Sequence, residues 1–243
     1  MHSIKIIKCP SSDFPYLVIY KPHNLPSAPI IMGDKENALS QALELFPELN
    51  NVKGKKEIEK GLLHRLDTVT DGLMVIAATQ FAYDYLINEQ NNGRFIKFYK
   101  AHCYICNDNV CTKSGYPPIN VNTNSLEFDI VSFFRPYGEG RKEVRPVTKD
   151  SGNGVLNKVK NPVEYSTQIK VVEKNENICT VHCCLKKGYR HQVRCHLAWI
   201  GFPIINDPVY GNKNDLSGEI QFTAYKIEFM NPISNKKIEI ELK

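Results

Sequence analysis

Gly61-Leu-Leu-His-Arg-Leu-Asp67-Thr-Val-Thr-Asp-Gly72-Leu-Met-Val-Ile-Ala-Ala-Thr79 sets two apolar segments around a polar one. Leu62 and Leu63 open the first, and Leu73–Ala78 is an uninterrupted apolar run of the length and composition of a buried strand. His64–Gly72 between them is then a short polar loop carried on a rigid scaffold, the usual position for chemical groups. Thr79 can cap the helix that follows, in which Ala82, Tyr85 and Leu86 share a face before Asn91-Asn92-Gly93 stops it. Upstream, the first ten residues alternate as a strand does. Pro15-Tyr-Leu-Val-Ile-Tyr20 is a second strand, ended by Lys21-Pro22 and a loop reaching Pro29. Ala38–Phe46 has helical periodicity and stops before Pro47, and Asn51–Lys60 is a polar, lysine-rich loop.

Downstream, strands are expected at Phe95–Cys106, Leu126–Phe134, Val163–Glu173, Ile178–Leu185, Gln221–Phe229 and Lys237–Leu242. Residues 107–124 and 136–161, rich in Gly, Pro, Asn and Lys, are expected as long surface loops. Arg190–Ile200 reads as a helix with Val193, Leu197 and Ile200 in a core-facing stripe and Arg190 and Arg194 on another face. Many strands and few helices, without strict alternation, give an α+β class around a largely antiparallel sheet flanked by helices and loops.

The 243 residues are 42% apolar and 23% charged, with a net charge of +5. That balance excludes a histone-like tail and suits a partner carrying phosphates. No apolar run is long enough to span a membrane, and the N-terminal stretch lacks the apolar centre and cleavage site of a secretory signal. Cysteines at 9, 103, 106, 111, 179, 183, 184 and 195 do not form a disulfide framework, so reduced cytoplasmic thiols are expected. Cys103 and Cys106 make one C-x-x-C, but a strand sends positions i and i+3 to opposite faces, and no second pair follows at zinc spacing. No metal is expected there.

Two groups of residues could carry chemistry. His64-Arg65-Leu-Asp67 brings a base, a cation and a carboxylate together in the loop, where Thr68, Thr70, Asp71 and Gly72 would fix the carboxylate. An ionised carboxylate that is partly desolvated needs a cation, and Arg65 and Arg194 are the candidates. Lys186-Lys-Gly-Tyr-Arg-His-Gln-Val-Arg-Cys-His196 sets basic residues at the start of a helix with an apolar anchor, an arrangement suited to a phosphate backbone.

In order along the chain come Lys21-Pro22, Gly61-Leu-Leu-His-Arg-Leu-Asp67 with Thr70-Asp-Gly-Leu73, and Lys97-Phe-Tyr99-Lys-Ala101. His191-Gln-Val-Arg194-Cys-His-Leu-Ala198, Ile200-Gly-Phe-Pro-Ile204 and Asp207-Pro-Val-Tyr-Gly211 follow. This series resembles the RluA-type pseudouridine synthases from about residue 13 to the C-terminus. The resemblance implies isomerisation of uridine to pseudouridine in RNA, without cofactor or metal. Its catalytic aspartate falls on Asp67, and the arginine that fills the space of the flipped nucleotide falls on Arg65. The tyrosine packed on the target base falls on Tyr99, and the arginine paired with the carboxylate on Arg194. His64, Lys186, Lys187, Arg190, His191 and Gln192 complete the expected base-flipping and RNA-binding set.

Asp67 could act as nucleophile or as base at the ribose. Flipping is required because the base must detach, turn and rejoin through C5, which a stacked base cannot do. A carboxylate, Asp71, stands where the family usually has Ser, adding negative charge near Asp67. Gly188-Tyr-Arg-His-Gln192 stands where it usually has Gly-Arg-Thr-His-Gln, so the arginine has moved one place. The resulting expectation is a single catalytic domain, monomeric and cytoplasmic, with no accessory N-terminal RNA-binding domain and no membrane contact. Its partner is tRNA or rRNA. The alternative is an RNA-binding relative that keeps the fold without the chemistry.

Overall fold

The computed structural model describes residues 2–106, 115–119, 121–122, 125–160, 162–211 and 217–243. In chain order the elements are β1 (Lys5–Lys8), β2 (Tyr16–Lys21), α1 (Ala38–Leu45), β3 (Asp71–Ala77) and α2 (Gln80–Asn91). Then come β4 (Ile96–Tyr104), β5 (Glu127–Tyr137), β6 (Glu143–Val147), α3 (Asn153–Leu156), β7 (Tyr165–Lys174) and β8 (Ile178–Leu185). Last are α4 (Gln192–Trp199), β9 (Phe222–Met230) and β10 (Lys237–Glu241). The α+β class holds. The chain divides into two compact units, Met1–Lys97 with Thr223–Lys243, and Phe98–Phe222.

In the first unit β1, β2 and β3 pair antiparallel, β3 pairs parallel with β9, and β9 pairs antiparallel with β10. Every residue of β3 is buried, as its unbroken apolar run requires. Tyr16, Val18, Leu73, Val75, Phe95, Ile227 and Phe229 form a core closed by Ala82, Tyr83 and Leu86 of α2. Thr79 caps α2, its hydroxyl accepting from the Ala82 N–H at 3.2 Å. Gly72 ties β3 to β9. Its φ is +122°, and a Cβ there would lie 2.3 Å from the Ala224 carbonyl oxygen. Gly72→Ala should therefore cost about 2–4 kcal/mol from backbone strain and forced separation of the two strands. Urea unfolding measures it, and a loss within experimental error would show that β3 and β9 part without penalty.

In the second unit the strand order is β4-β8-β7-β5-β6, with antiparallel pairing from β8 to β6. Tyr165, Thr167, Ile169 and Val171 of β7 are buried while their neighbours are exposed, the alternation of a sheet with one covered face. Phe134, Val144, Tyr165, Cys195, Ala198 and Tyr210 pack together under α4.

Three expectations need correction. Residues 136–161 are not a plain loop: β5 runs on to Tyr137, β6 returns beside it, and α3 follows. Pro146 lies within β6, which ends the strand order, where a residue without an N–H is tolerated. The last helix begins at Gln192 rather than Arg190 and is buried on all sides, so it has no solvent-facing basic stripe. Cys9, Cys103, Cys179, Cys183, Cys184 and Cys195 are free thiols, but Cys106 is disulfide-bonded. Most of the expected 107–124 loop, with Cys111, lies outside the described residues. Among the described residues no helix is long and apolar enough to cross a membrane.

Candidate active site

The loop carrying Asp67 starts as an edge laid along β3. The Ala77 N–H donates to the Gly61 carbonyl at 2.8 Å, Leu62 bridges Ile76, and the Leu63 N–H donates to the Val75 carbonyl at 3.3 Å. Only glycine fits at 61, where a Cβ would lie 2.2 Å from the Ala77 oxygen. At the next step the Val75 N–H donates to His64 Nε2 at 3.2 Å. The imidazole takes the place of a backbone acceptor, and the ladder ends there. A ring accepting at Nε2 keeps its proton on Nδ1. Burial, aided by the nearby Lys97 charge, pushes the His64 pKa down to about 3. His64 is thus a neutral scaffold group at working pH. Arg65 turns outward, 60% exposed, with Nη1 3.3 Å from Glu59 Oε1.

From Leu66 onward the loop after β2 grips the backbone. Ser27 Oγ donates to the Leu66 carbonyl at 2.7 Å and accepts from the Leu66 N–H at 2.9 Å. Lys21, fully buried, spends its three N–H donors on the carbonyls of Pro22 (2.9 Å), Leu25 (2.8 Å) and Thr68 (3.2 Å). Burial lowers its pKa to about 8, against the opposing pull of the Asp71 and Asp67 charges. His23 Nδ1 meets the Val69 carbonyl at 2.7 Å. The Thr70 N–H closes a turn onto the Asp67 carbonyl at 3.0 Å. The main chain is thereby held on both sides of Asp67, whose side chain is partly buried.

Asp71, expected as an added charge beside Asp67, points into the interior and has its own partners. The Tyr20 hydroxyl donates to Asp71 Oδ2 at 2.5 Å, and His23 Nε2 lies 3.5 Å from the same oxygen.

In the second unit, Tyr99 is buried in β4 and stacked on Phe222, with ring centroids 5.1 Å apart at 15°. Arg194 is buried in α4 and forms a bidentate pair with Asp207, Nε to Oδ2 at 2.8 Å and Nη2 to Oδ1 at 2.7 Å. Burial alone would raise the Asp207 pKa. The Arg194 hydrogen bonds and charge, with the N–H groups of Tyr210 and Val209, outweigh it and hold the carboxyl below its usual range.

Gln192 is also buried. It accepts from the Tyr189 N–H at 2.9 Å and donates to the Ser166 carbonyl at 2.9 Å and Thr167 Oγ1 at 3.0 Å. His191 takes a left-handed conformation, φ +56°, where the chain turns into α4, and its Nδ1 lies 3.2 Å from the Tyr210 hydroxyl. Lys186, Lys187 and Arg190 are exposed ahead of the helix. The Arg190 guanidinium donates to the carbonyls of Arg141 and Glu143, so it braces the β5–β6 turn, and the residue does not share a helix face with Arg194. Among the described residues no group of three or more His, Cys, Asp or Glu is placed to hold a metal.

Sequence reasoning did not single out Ser27, His23 or Asp207 for these tasks. Asp207 did leave a signal, as a carboxylate amid apolar residues after a helix that buries an arginine.

The family model for RNA pseudouridylate synthase matches residues 15–199. The chain is 26% identical over 94% of its length to an uncharacterized RNA pseudouridine synthase of Bacillus subtilis, spanning 66% of that protein. It is 26% identical, again over 94% of its length, to ribosomal large subunit pseudouridine synthase D of Neisseria meningitidis, spanning 56% of it. Its fold is similar to that of human RNA pseudouridylate synthase domain containing 1, with a TM-score of 0.66 at 20% identity, covering 100% of this chain and 84% of that one. The corresponding human domain containing 4 gives a TM-score of 0.63 at 16% identity, covering 96% and 87%.

Proposed function

The chain belongs to the RNA pseudouridylate synthase family, and from that premise we propose that it isomerises uridine to pseudouridine in structured RNA, ribosomal or transfer. The observation that carries the proposal is the grip on the Asp67 loop, in which Ser27, Lys21 and His23 hold the backbone of Leu66, Thr68 and Val69. An immobilised backbone lets a carboxylate meet a reacting sugar without reorganising, which is where positioning lowers a barrier. In the reaction the bond from C1′ to N1 breaks, the base turns, C1′ bonds to C5, the C5 proton leaves to water, and N1 takes up a proton in exchange. Asp67 acts at the ribose, and Tyr99 and Arg194 are the other catalytic groups.

Arg65 is suited to enter the gap left by the flipped nucleotide. Its exposed pair with Glu59 is worth at most about 1 kcal/mol, so it is released cheaply. His191 and Gln192 shape the turn into α4, while the exposed Lys186 and Lys187 offer charge to phosphates, Lys187 from a position over the Tyr165 ring.

RNA carrying tritium at uridine C5 tests the proposal directly: the protein should release tritium to water with multiple turnovers. Binding of the RNA without release, on ribosomal and transfer RNA alike, would leave a binding protein with this fold. Because Arg190 is engaged with the β5–β6 turn, the phosphate contacts are assigned to Lys186 and Lys187. Replacing both with Ala should flatten the dependence of log Kd on log salt by about 1.4–1.8, two contacts at roughly 0.7–0.9 each. An unchanged slope would place the phosphate track on another surface.

A further inference from the structure

We propose that His23, fixed by Asp71, is a positioning residue for the proposed isomerisation: its ring latches the Val69 carbonyl and so sets the backbone that carries Asp67. The inference rests on the isomerase reading for its kinetic test and on geometry alone for its structural one. A carbonyl oxygen accepts only, so the 2.7 Å contact puts a proton on His23 Nδ1. With Nδ1 protonated, a neutral ring would turn the Nε2 lone pair toward Asp71 Oδ2, 3.5 Å away. A ring that carries a proton on Nε2 as well attracts the carboxylate instead, through a charge-assisted contact.

Both side chains are largely out of water, 17% and 8% exposed, which strengthens that attraction. Asp71 Oδ1 is buried with no hydrogen-bond partner. The carboxylate therefore depends on what reaches Oδ2, namely Tyr20 from β2 and His23 from the loop after it. Asp71 opens β3 and is anchored by its ladder, so the line of force runs from the sheet through Asp71 and His23 to Val69, two residues past Asp67. Lys21 holds Thr68 from the same side, but its ammonium is shared with two other carbonyls.

The test compares His23→Ala, His23→Asn, Asp71→Ser and the double variant His23→Ala/Asp71→Ser, each first shown to unfold cooperatively. His23→Asn keeps an N–H where Nδ1 stood and loses the group facing Asp71. On C5-tritiated RNA, His23→Ala should lower kcat about 10- to 100-fold with KM nearly unchanged, the expected result of misplacing a reacting group by a fraction of its working distance. His23→Asn should recover most of that loss. The double variant should be less impaired than the product of the two single losses, because Asp71 and His23 act on Val69 through one contact, which either single change already breaks.

Hydrogen exchange of the peptide spanning 64–71 supplies an arm that does not need activity. Exchange should rise in His23→Ala and return toward wild type in His23→Asn. Absence of tritium release by the wild type would sink the isomerase reading while the exchange arm still judged the latch. Multiplicative losses, or His23→Asn no better than His23→Ala in both rate and exchange, would overturn the latch.

Discussion

Asp67→Asn should abolish measurable tritium release from C5-labelled uridine in RNA while leaving the protein folded. The substitution keeps the shape of the side chain and removes its charge, so neither nucleophilic attack nor proton removal at the ribose remains available. A group acting directly on the reacting centre is typically worth a factor on the order of 10²–10⁴. Stability should change far less than activity does, because the loop is held through its main chain. The loop's shape depends on Ser27, Lys21 and His23 holding its main chain, and none of those contacts uses the Asp67 side chain. One secondary effect is expected: the Asp67 charge supports the buried Lys21 ammonium, and its loss should lower the Lys21 pKa further. RNA affinity should be kept or slightly raised, since one negative charge near phosphates is gone. A mutant turning over within a few-fold of wild type would remove Asp67 from the reaction.

What the sequence made legible was local. The run from Leu73 to Ala78 could only be a buried strand, and a short polar loop ahead of it had to be held by the scaffold. That sufficed to mark Asp67 and Arg65. What it hid was decided by partners far along the chain. Arg194 and His196 read as the cationic side of a surface helix, because charge in a sequence is normally solvated. In the structure both are buried, Arg194 on Asp207 and His196 between Ser132 and Thr167. No pattern within α4 announces partners 13, 29 and 64 residues away.

The same holds for Asp71, whose Tyr20 partner is 51 residues upstream. It read as an added charge beside Asp67 and proved to be anchored in the interior. Composition misled in the opposite sense: the Gly, Pro, Asn and Lys of 136–161 read as loop, yet β6 forms there with Pro146 in it, because a strand at the end of the sheet tolerates a residue without an N–H.

The pairing of Arg194 with Asp207 should dominate the stability of the second unit. Asp207→Asn removes the charge from one side of this buried bidentate pair, and breaking a buried pair from one side costs about 3–5 kcal/mol. Urea unfolding should show a loss of that order. Asparagine still offers an oxygen to the N–H groups of Val209 and Tyr210, which Asp207 Oδ1 accepts at 2.8 and 3.0 Å, so the turn after Asp207 keeps its hydrogen bonds and the loss reports the charge together with the acceptor for Arg194 Nε–H. Removing both charges in Arg194→Met/Asp207→Asn should restore much of the stability, since an apolar stem fills the space and no ion stays buried.

The pH dependence has a definite sign. Asp207 titrates below its unfolded value in the folded protein, so its contribution is fully present above the unfolded carboxylate range, near about pH 4. It is lost as pH falls through the folded pKa. Wild type should therefore lose stability in acid more steeply than the double variant. Activity separates two roles for Arg194. If the arginine also serves the reaction, the double variant should regain its fold without regaining turnover. Full recovery of turnover together with stability would show that Arg194 is there to hold the second unit together and nothing more.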